Sequence, residues 1–393
     1  MTVTTTKVAS VEELQQAVAD DRAGDIVVAG TIERVPTLRL APGRNLVGAD
    51  DRAAIVFRDG ADGVQLTRDN RVASLRLRAS PNARAVFNDT TVESVGTLEL
   101  VLLHAVGQIQ IVADDAVRSG HVIVEGIHVE EADTRVREPR PHGYGVHALQ
   151  GAITVWNRQT GPETRITADL TGLSAGSEET PVRGSGVFVS GGGDRGGRVE
   201  ATRLHTGPVF AEGGVGGQVA GGVFVVYGVH LQDVDNIGPV TTYGANDAVL
   251  HNWGAVDSWK ATGAITSYGE RATGFMNLGK VGRLEIAAPV ETSGPEADGF
   301  RLDAGTVEVA ELYRIVTHAD AAVGVQISRP FGRLIVHHGI ETHGAGAVGL
   351  SLQPGADGRE ISVDGGITAR GDGVPPIEIR GRVDELTVTG GLD

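Results

Sequence analysis

The sequence predicts an all-β fold, a single-stranded right-handed parallel β-helix solenoid with about 25 residues per coil and a short N-terminal capping helix. Two observations carry this. The composition is rich in Gly (57 residues) and poor in aromatic side chains (4%), which suits many short strands joined by tight turns. In the second half, Thr recurs at 241, 266, 292, 317, 342 and 368, and GANDAVLHNWGAVDSW aligns without a gap on GERATGFMNLGKVGRL. A register kept over five turns is the mark of a repeat architecture.

Taken in order, the chain opens on its one good helix signal. Ser10 precedes VEELQQAVADD with Glu13 three residues later, the pattern of a capping box, and Leu14, Ala17 and Val18 form an apolar stripe. GDIVVAGTIE and LRLAPGRNLVGADDRAAIVF follow as short strands punctuated by Gly, Pro and Asp. Residues 1–24 are therefore assigned to the capping segment and 25–393 to the solenoid. Gly24, Asp25, Ile26, Val27, Gly30, Ile32, Leu46 and Gly48 resemble the opening of the pectin-lyase-like superfamily of right-handed β-helices. In that superfamily a short helix covers the first coil; the resemblance implies the fold and says little about chemistry.

Side chains alternate across a strand, and equivalent positions of adjacent coils stack about 4.8 Å apart, so each column of the repeat is a ladder. Leu250, Phe275, Phe300, Val325 and Leu350 read as one internal ladder, and Trp259, Leu284, Val309 and Leu334 as another. Asn252 and Asn277, at the turn, read as an internal Asn ladder that satisfies turn backbone. Upstream, GYGVHAL (143–149), GSGVFVS (184–190) and GGVFVVYG (221–228) read as further strands of the same kind. Their wider spacing places loop insertions at about 150–220, where function gathers on a solenoid.

A formal net charge of −16 opposes binding to phosphate backbones, so nucleic acid is excluded as a partner. The sequence has no run of 18 apolar residues and no signal-peptide pattern, which predicts no membrane partner and a cytoplasmic protein, with secretion the alternative if a leader was trimmed. The absence of Cys removes disulfides, thiolate metal sites and Cys nucleophiles. The Gly-rich runs SGGGDRGG and EGGVGG lack the context of a phosphate-binding loop.

Extended β-helices commonly act on polysaccharides along an outer groove, an analogy of fold. Gly-His-Gly and Arg-x-Lys, which accompany the paired Asp residues of polygalacturonase relatives, are both absent, and the Asp-Asp pairs at 20, 50 and 114 read as solvated turns. The densest polar and aromatic region runs from Tyr227 to Asn277. From it, Asp233, Asp235, Asp247, His230, His251 and Arg271 are the candidate catalytic residues, with His251 on the outside of its strand. Tyr144, His147, Tyr227, Tyr243, Trp253, Tyr268 and Glu270 are the candidate substrate-binding residues, Trp253 as a stacking platform for a sugar ring.

The expected function is that of a carbohydrate-active enzyme cleaving or rearranging a glycosidic linkage, with an oligosaccharide or glycoside as substrate and no cofactor. Two carboxylates would act as acid and as base or nucleophile, drawn from Asp233, Asp235, Asp247 and Glu270. His318 and His343 stack one coil apart, but with only His337 and His338 nearby they fall short of a metal site, and no metal is expected. The ladder Tyr243, Tyr268, Ser293, His318 and His343 is an outward column suited to a subunit interface, so a homo-oligomer is expected. The alternative is a non-catalytic oligomeric scaffold or sugar-binding β-helix.

Overall fold

Short β-prone segments separated by Gly and Asp turns cannot bury their apolar faces singly, and here they do so by stacking. The computed structural model describes residues 4–214 and 216–393. It is nearly all β, with long parallel sheets compatible with a parallel β-helix. Thirteen strands from Leu38–Arg39 to Ile377–Ile379 form one continuous parallel sheet, each strand pairing with its neighbours in chain order. The remaining long strands pair in the same coil-by-coil fashion on the other faces. The core runs along the interior between them. Among the described residues no helix is long and apolar enough to cross a membrane.

The internal ladder is direct. Leu250 pairs with Phe275, Phe275 with Phe300, Phe300 with Val325 and Val325 with Leu350, each 25 residues on, and all five are buried. Phe275 and Phe300 stack at 5.5 Å between ring centroids. At the turn, Asn252 Nδ2 donates to Asn277 Oδ1 at 2.7 Å, and Asn277 Nδ2 donates to the Gly279 carbonyl at 3.1 Å. Both amides are fully buried.

The second ladder needs one correction. Leu284 pairs with Ala310, not Val309, and Ala310 leads on to Leu334. The turn at Asp303–Gly305 holds one more residue than the turn before it, and Gly305 takes a left-handed φ of 63° there. A slip of one residue moves every side chain to the opposite face, which puts Val309 outside and Ala310 in the core. The Thr recurrence likewise spans two columns: Thr241 and Thr266 lead to Glu291, whereas Thr242 and Ser267 lead to Thr292, Thr317 and Thr342.

Helix α1 (Val11–Val18) forms where the capping box sits. Ser10 Oγ accepts the Glu13 N–H at 3.2 Å, Glu13 accepts the Ala9 N–H at 2.8 Å, and Leu14 and Ala17 enter the core. Arg44, fully buried, donates to the Ala17 carbonyl at 3.0 Å, supplying a cation and a donor to the C-terminal end of the helix. The capping segment is not separate from the sheets: a strand not expected from the sequence, Thr4–Val8, pairs in parallel with Gly24–Val28.

GYGVHAL is the largest departure. It is not a solenoid strand. The sheet position belongs to Gly151–Asn157, which pairs with Gln108–Ala113 and Ser185–Ser190. Residues 142–148 instead fold as a β-hairpin, His142–Gly143 against Val146–Ala148, and Gln218–Val219 adds a third, parallel strand. This small sheet lies on the outer face of the thirteen-stranded sheet.

Candidate functional site

The hairpin stays in place because the sheet beneath it is apolar on its outside. Phe188, Phe224, Val226 and Trp253 form a second buried cluster with Ala148 of the hairpin, packed by Val146, Val219, Tyr227 and Leu278. A Cβ at Gly143 would stand 2.9 Å from Trp253 Cζ3, so the hairpin approaches the indole closely only because that residue is Gly. The two-residue turn Tyr144–Gly145 has φ of 51° and 81°, the left-handed pair of a type I′ hairpin, and Tyr is an unusual choice for it. The strain is the cost of holding the Tyr144 ring where it is. That ring sits edge-on to Trp253 at 5.3 Å, and its hydroxyl donates to the Leu278 carbonyl at 2.9 Å.

Tyr144, Trp253 and Leu278 separate two cavities, each touched by all three. The first, about 380 Å³, is polar and holds Asp194, Arg198, Glu200, His230 and Lys280. His230 Nε2 lies 3.0 Å from both oxygens of Asp257, and its Nδ1 lies 3.7 Å from Glu200; the Asp257 hydrogen bond raises its pKa. The second, about 480 Å³, is walled by Asp247, His251, Arg271, Arg301, Asp303 and Arg329.

Asp247 is the unusual group of the second cavity. The same turn position is Ala272, Ala297, Ala322 and Ala347 in the next four coils, so the solenoid asks for a small apolar residue there. Asp247 Oδ2 accepts the N–H groups of Gly213 (2.8 Å) and Gly244 (2.9 Å), which ties the start of the segment carrying Gln218–Val219 to the turn. Oδ1 has no partner among the described residues. Burial pushes the carboxyl up to about 7 against the pull of those two N–H groups. Asp298 is likewise pushed up to about 7 by burial, with its Oδ1 on the Val323 N–H at 2.8 Å.

Sequence alternation sends His251 outward, and the structure corrects the consequence. The side chain is on the outer face but 4% exposed, stacked on Phe224 at 4.1 Å and roofed by the inserted segments. Its Nε2 accepts the Trp253 indole N–H at 2.8 Å, which puts the ring proton on Nδ1, and burial pushes its pKa down to about 3. A neutral imidazole so weakly basic is not a general base near pH 7. Trp253 is also corrected: at 4% exposure, with Tyr144, Tyr227 and Phe224 around it, it offers no open face on which a sugar could stack.

Of the other sequence candidates, Arg271 lines the second cavity, bonded to Glu270 and, at 3.0 Å, to Asn246 Oδ1. Tyr227 props the hairpin through the His142 carbonyl at 3.4 Å. His147, exposed on the hairpin, has its ring 4.8 Å from that of His142 and tilted 58° to it, and the upstream position of the His251 column is held by Thr154. Asp233 bonds His205 at 2.7 Å, and neither it nor Asp235 lines either cavity, so these two candidates stand apart from His230 and His251. Tyr243 and Tyr268 stack at 5.4 Å along a turn outside both cavities. Among the described residues no three metal-ligating side chains converge.

Asp194, Arg198, Glu200, Lys280, Arg301, Asp303 and Arg329 also line the cavities, and the sequence alone does not single them out. Arg301 carries a signal, being next but one after His251 in the outer column. Most of the others come from coils on either side of the Tyr227–Asn277 stretch. Comparison of the chain with family models, curated proteins and solved structures finds no match.

Proposed function

We propose that the chain is a carbohydrate-active enzyme that cleaves or rearranges a glycosidic linkage in the cleft beneath Tyr144. The observation that supports this best is Asp247: a buried carboxyl with one unpartnered oxygen, lining a cavity, and still protonated close to neutrality. A carboxylic acid kept neutral by burial can hand its proton to the leaving glycosidic oxygen. Asp303, in the same cavity and oriented by Arg301 Nε at 2.7 Å, is the second carboxylate, acting as base or nucleophile. Arg271 and Arg329 balance charge that develops between them. The surrounding solenoid is read as a right-handed, pectin-lyase-like β-helix of about 25 residues per coil, since parallel crossovers in one sheet are right-handed almost without exception. Incubation with a panel of oligosaccharides tests the reading, with mass spectrometry for new reducing ends, unsaturated sugars or transfer products. Products formed by the wild type and lost at least a hundredfold in Asp247→Asn support it; turnover unchanged in that variant refutes the assignment of the acid.

A second reading, a non-catalytic homo-oligomeric scaffold, draws on one feature: the ladder of stacked Tyr243 and Tyr268, then stacked His318 and His343, along one turn, with Tyr268 54% exposed. Such a strip suits a subunit interface, and an enzyme can use it too.

A further inference from the structure

The outer face of the thirteen-stranded sheet changes character along its length. Thr154, Phe188, Phe224 and His251 pair in turn and form one outward column, yet all four are buried although they point away from the solenoid core. The cover over Phe188 and Phe224 is the hairpin, packed through Ala148, Val146 and Val219. At the next coil it ends. Met276, Arg301 and Gln326 continue the column half-exposed, and so do Leu278, Asp303 and Ser328 in the column beside it. At about 4.8 Å a coil, Met276 to Gln326 is about 10 Å of open floor. Ser351, one coil further, lies low beneath Gln353, whose Nε2 donates to its hydroxyl at 2.7 Å, and Glu378 after it is half-exposed again. The groove is therefore blind at the hairpin and open toward the later coils. The second cavity sits at this step, lined by Tyr144, Val146 and Val219 of the small sheet and by Met276, Arg301 and Asp303 of the open coils.

We infer that this groove takes the end of a saccharide chain and not its middle: the chain lies along the open coils from Gln326 toward Met276, its terminal unit stops against Tyr144 and Val146, and the linkage acted on is close to that end. A chain bound at mid-length needs an open path on both sides of the reacting bond, and on the upstream side the outward positions are filled by Phe224 and the hairpin. Lifting the hairpin to let a chain through would expose Phe224, Val226 and Trp253 to water, which the apolar contacts oppose. The wall is also tied down by hydrogen bonds, from the Tyr144 hydroxyl to the Leu278 carbonyl at 2.9 Å and from the Gly213 N–H to Asp247 at 2.8 Å. The second of these sets the acid beside the blind end. The inference rests on the saccharide reading, and it concerns which linkage is reached and not how it is broken.

The test gives the full chain linear gluco-, xylo-, manno- and uronic-acid oligosaccharides, each beside its parent polymer at equal mass concentration. Binding is followed by tryptophan fluorescence, since Trp253 borders the cavity, and products are sized by mass spectrometry from the earliest time points. An end-binding groove sees only chain ends, so the polymer should bind more weakly than the oligosaccharide by about the ratio of their lengths, and the first products should be short and of one size whatever the length of the substrate. Tyr144→Gly removes the stopping ring while suiting the left-handed φ of 51° at that position, and should lengthen the terminal product. First products of all lengths from the wild type, or polymer and oligosaccharide bound equally by mass, overturn the inference; terminal products of unchanged size in Tyr144→Gly overturn the placing of the stop. Cleavage at random positions would refute this inference and leave the proposed reaction standing, end-dependent binding with no cleavage of any saccharide would do the reverse, and neither binding nor cleavage across the panel would refute both.

Discussion

Replacing Asp247 by Asn should make the protein's stability less sensitive to pH, by an amount that follows from burial. The carboxyl has a folded-state pKa of about 7 against an ordinary 3.8. Its folded pKa is raised, so between those values the folded chain holds a proton that the unfolded chain has lost. The contribution of this group to stability is then greatest below about pH 4 and falls as pH rises toward 7, levelling off above it. A shift of about 3 units corresponds to about 4 kcal/mol over the whole window, and to roughly 2.5 kcal/mol between pH 5 and pH 8. An Asn side chain keeps an acceptor for the Gly213 and Gly244 N–H groups and cannot ionise. The stability difference between variant and wild type, measured by denaturant unfolding at each pH, should therefore move in the variant's favour by about that amount from pH 5 to pH 8. Asp298 titrates in the same window but is present in both proteins and cancels. Proton release measured by titration between pH 6 and pH 8 should fall by about one per chain in the variant. A stability difference that is constant from pH 5 to pH 8 would refute the burial argument.

Three other perturbations bear on other parts of the structure. Phe300→Ala removes a ring that is 2% exposed and stacked on Phe275, and should cost about 3 to 5 kcal/mol in unfolding experiments, as large core deletions do; an unchanged unfolding curve would contradict the ladder. Gly143→Ala places a Cβ against Trp253 Cζ3 and should lift the hairpin, seen as a red shift and easier quenching of tryptophan fluorescence, with little loss of global stability. Tyr268→Glu puts a charge into the stacked ladder and should lower the mass found by light scattering if that strip joins subunits; an unchanged mass would remove the strip from any interface.

The solenoid is legible in the sequence where its register runs without interruption. From Leu250 to Leu350 a fixed 25-residue step and strand alternation suffice to place five side chains in the core, because a column of apolar residues has one face to occupy. Where a turn gains a residue the same logic fails by one, as at Val309 and Ala310. The site is legible in part. Alternation puts His251 on the outer face of its strand, and that is where it lies; alternation cannot say that a hairpin from residues 142–148 covers the face. The same covering turns Trp253 from a platform into a support. Asp247 is marked by its neighbours in the sequence, whereas Arg329 and Glu200 reach the cavities from coils that a linear search treats as distant. Asp233 and Asp235 point the same lesson: nearness in sequence to His230 does not bring them to it, since Asp257 one coil on holds that ring.

The most direct test of the account compares wild type with Asp247→Asn on one oligosaccharide panel, acidic and neutral, at pH 6 and pH 8, scored by mass spectrometry for cleaved or rearranged glycosidic bonds. The account predicts products from the wild type that diminish as pH rises through 7, where Asp247 gives up its proton, and at least a hundredfold less product from the variant at pH 6. Products formed equally by both proteins, or a wild-type rate that climbs through pH 7, would contradict it.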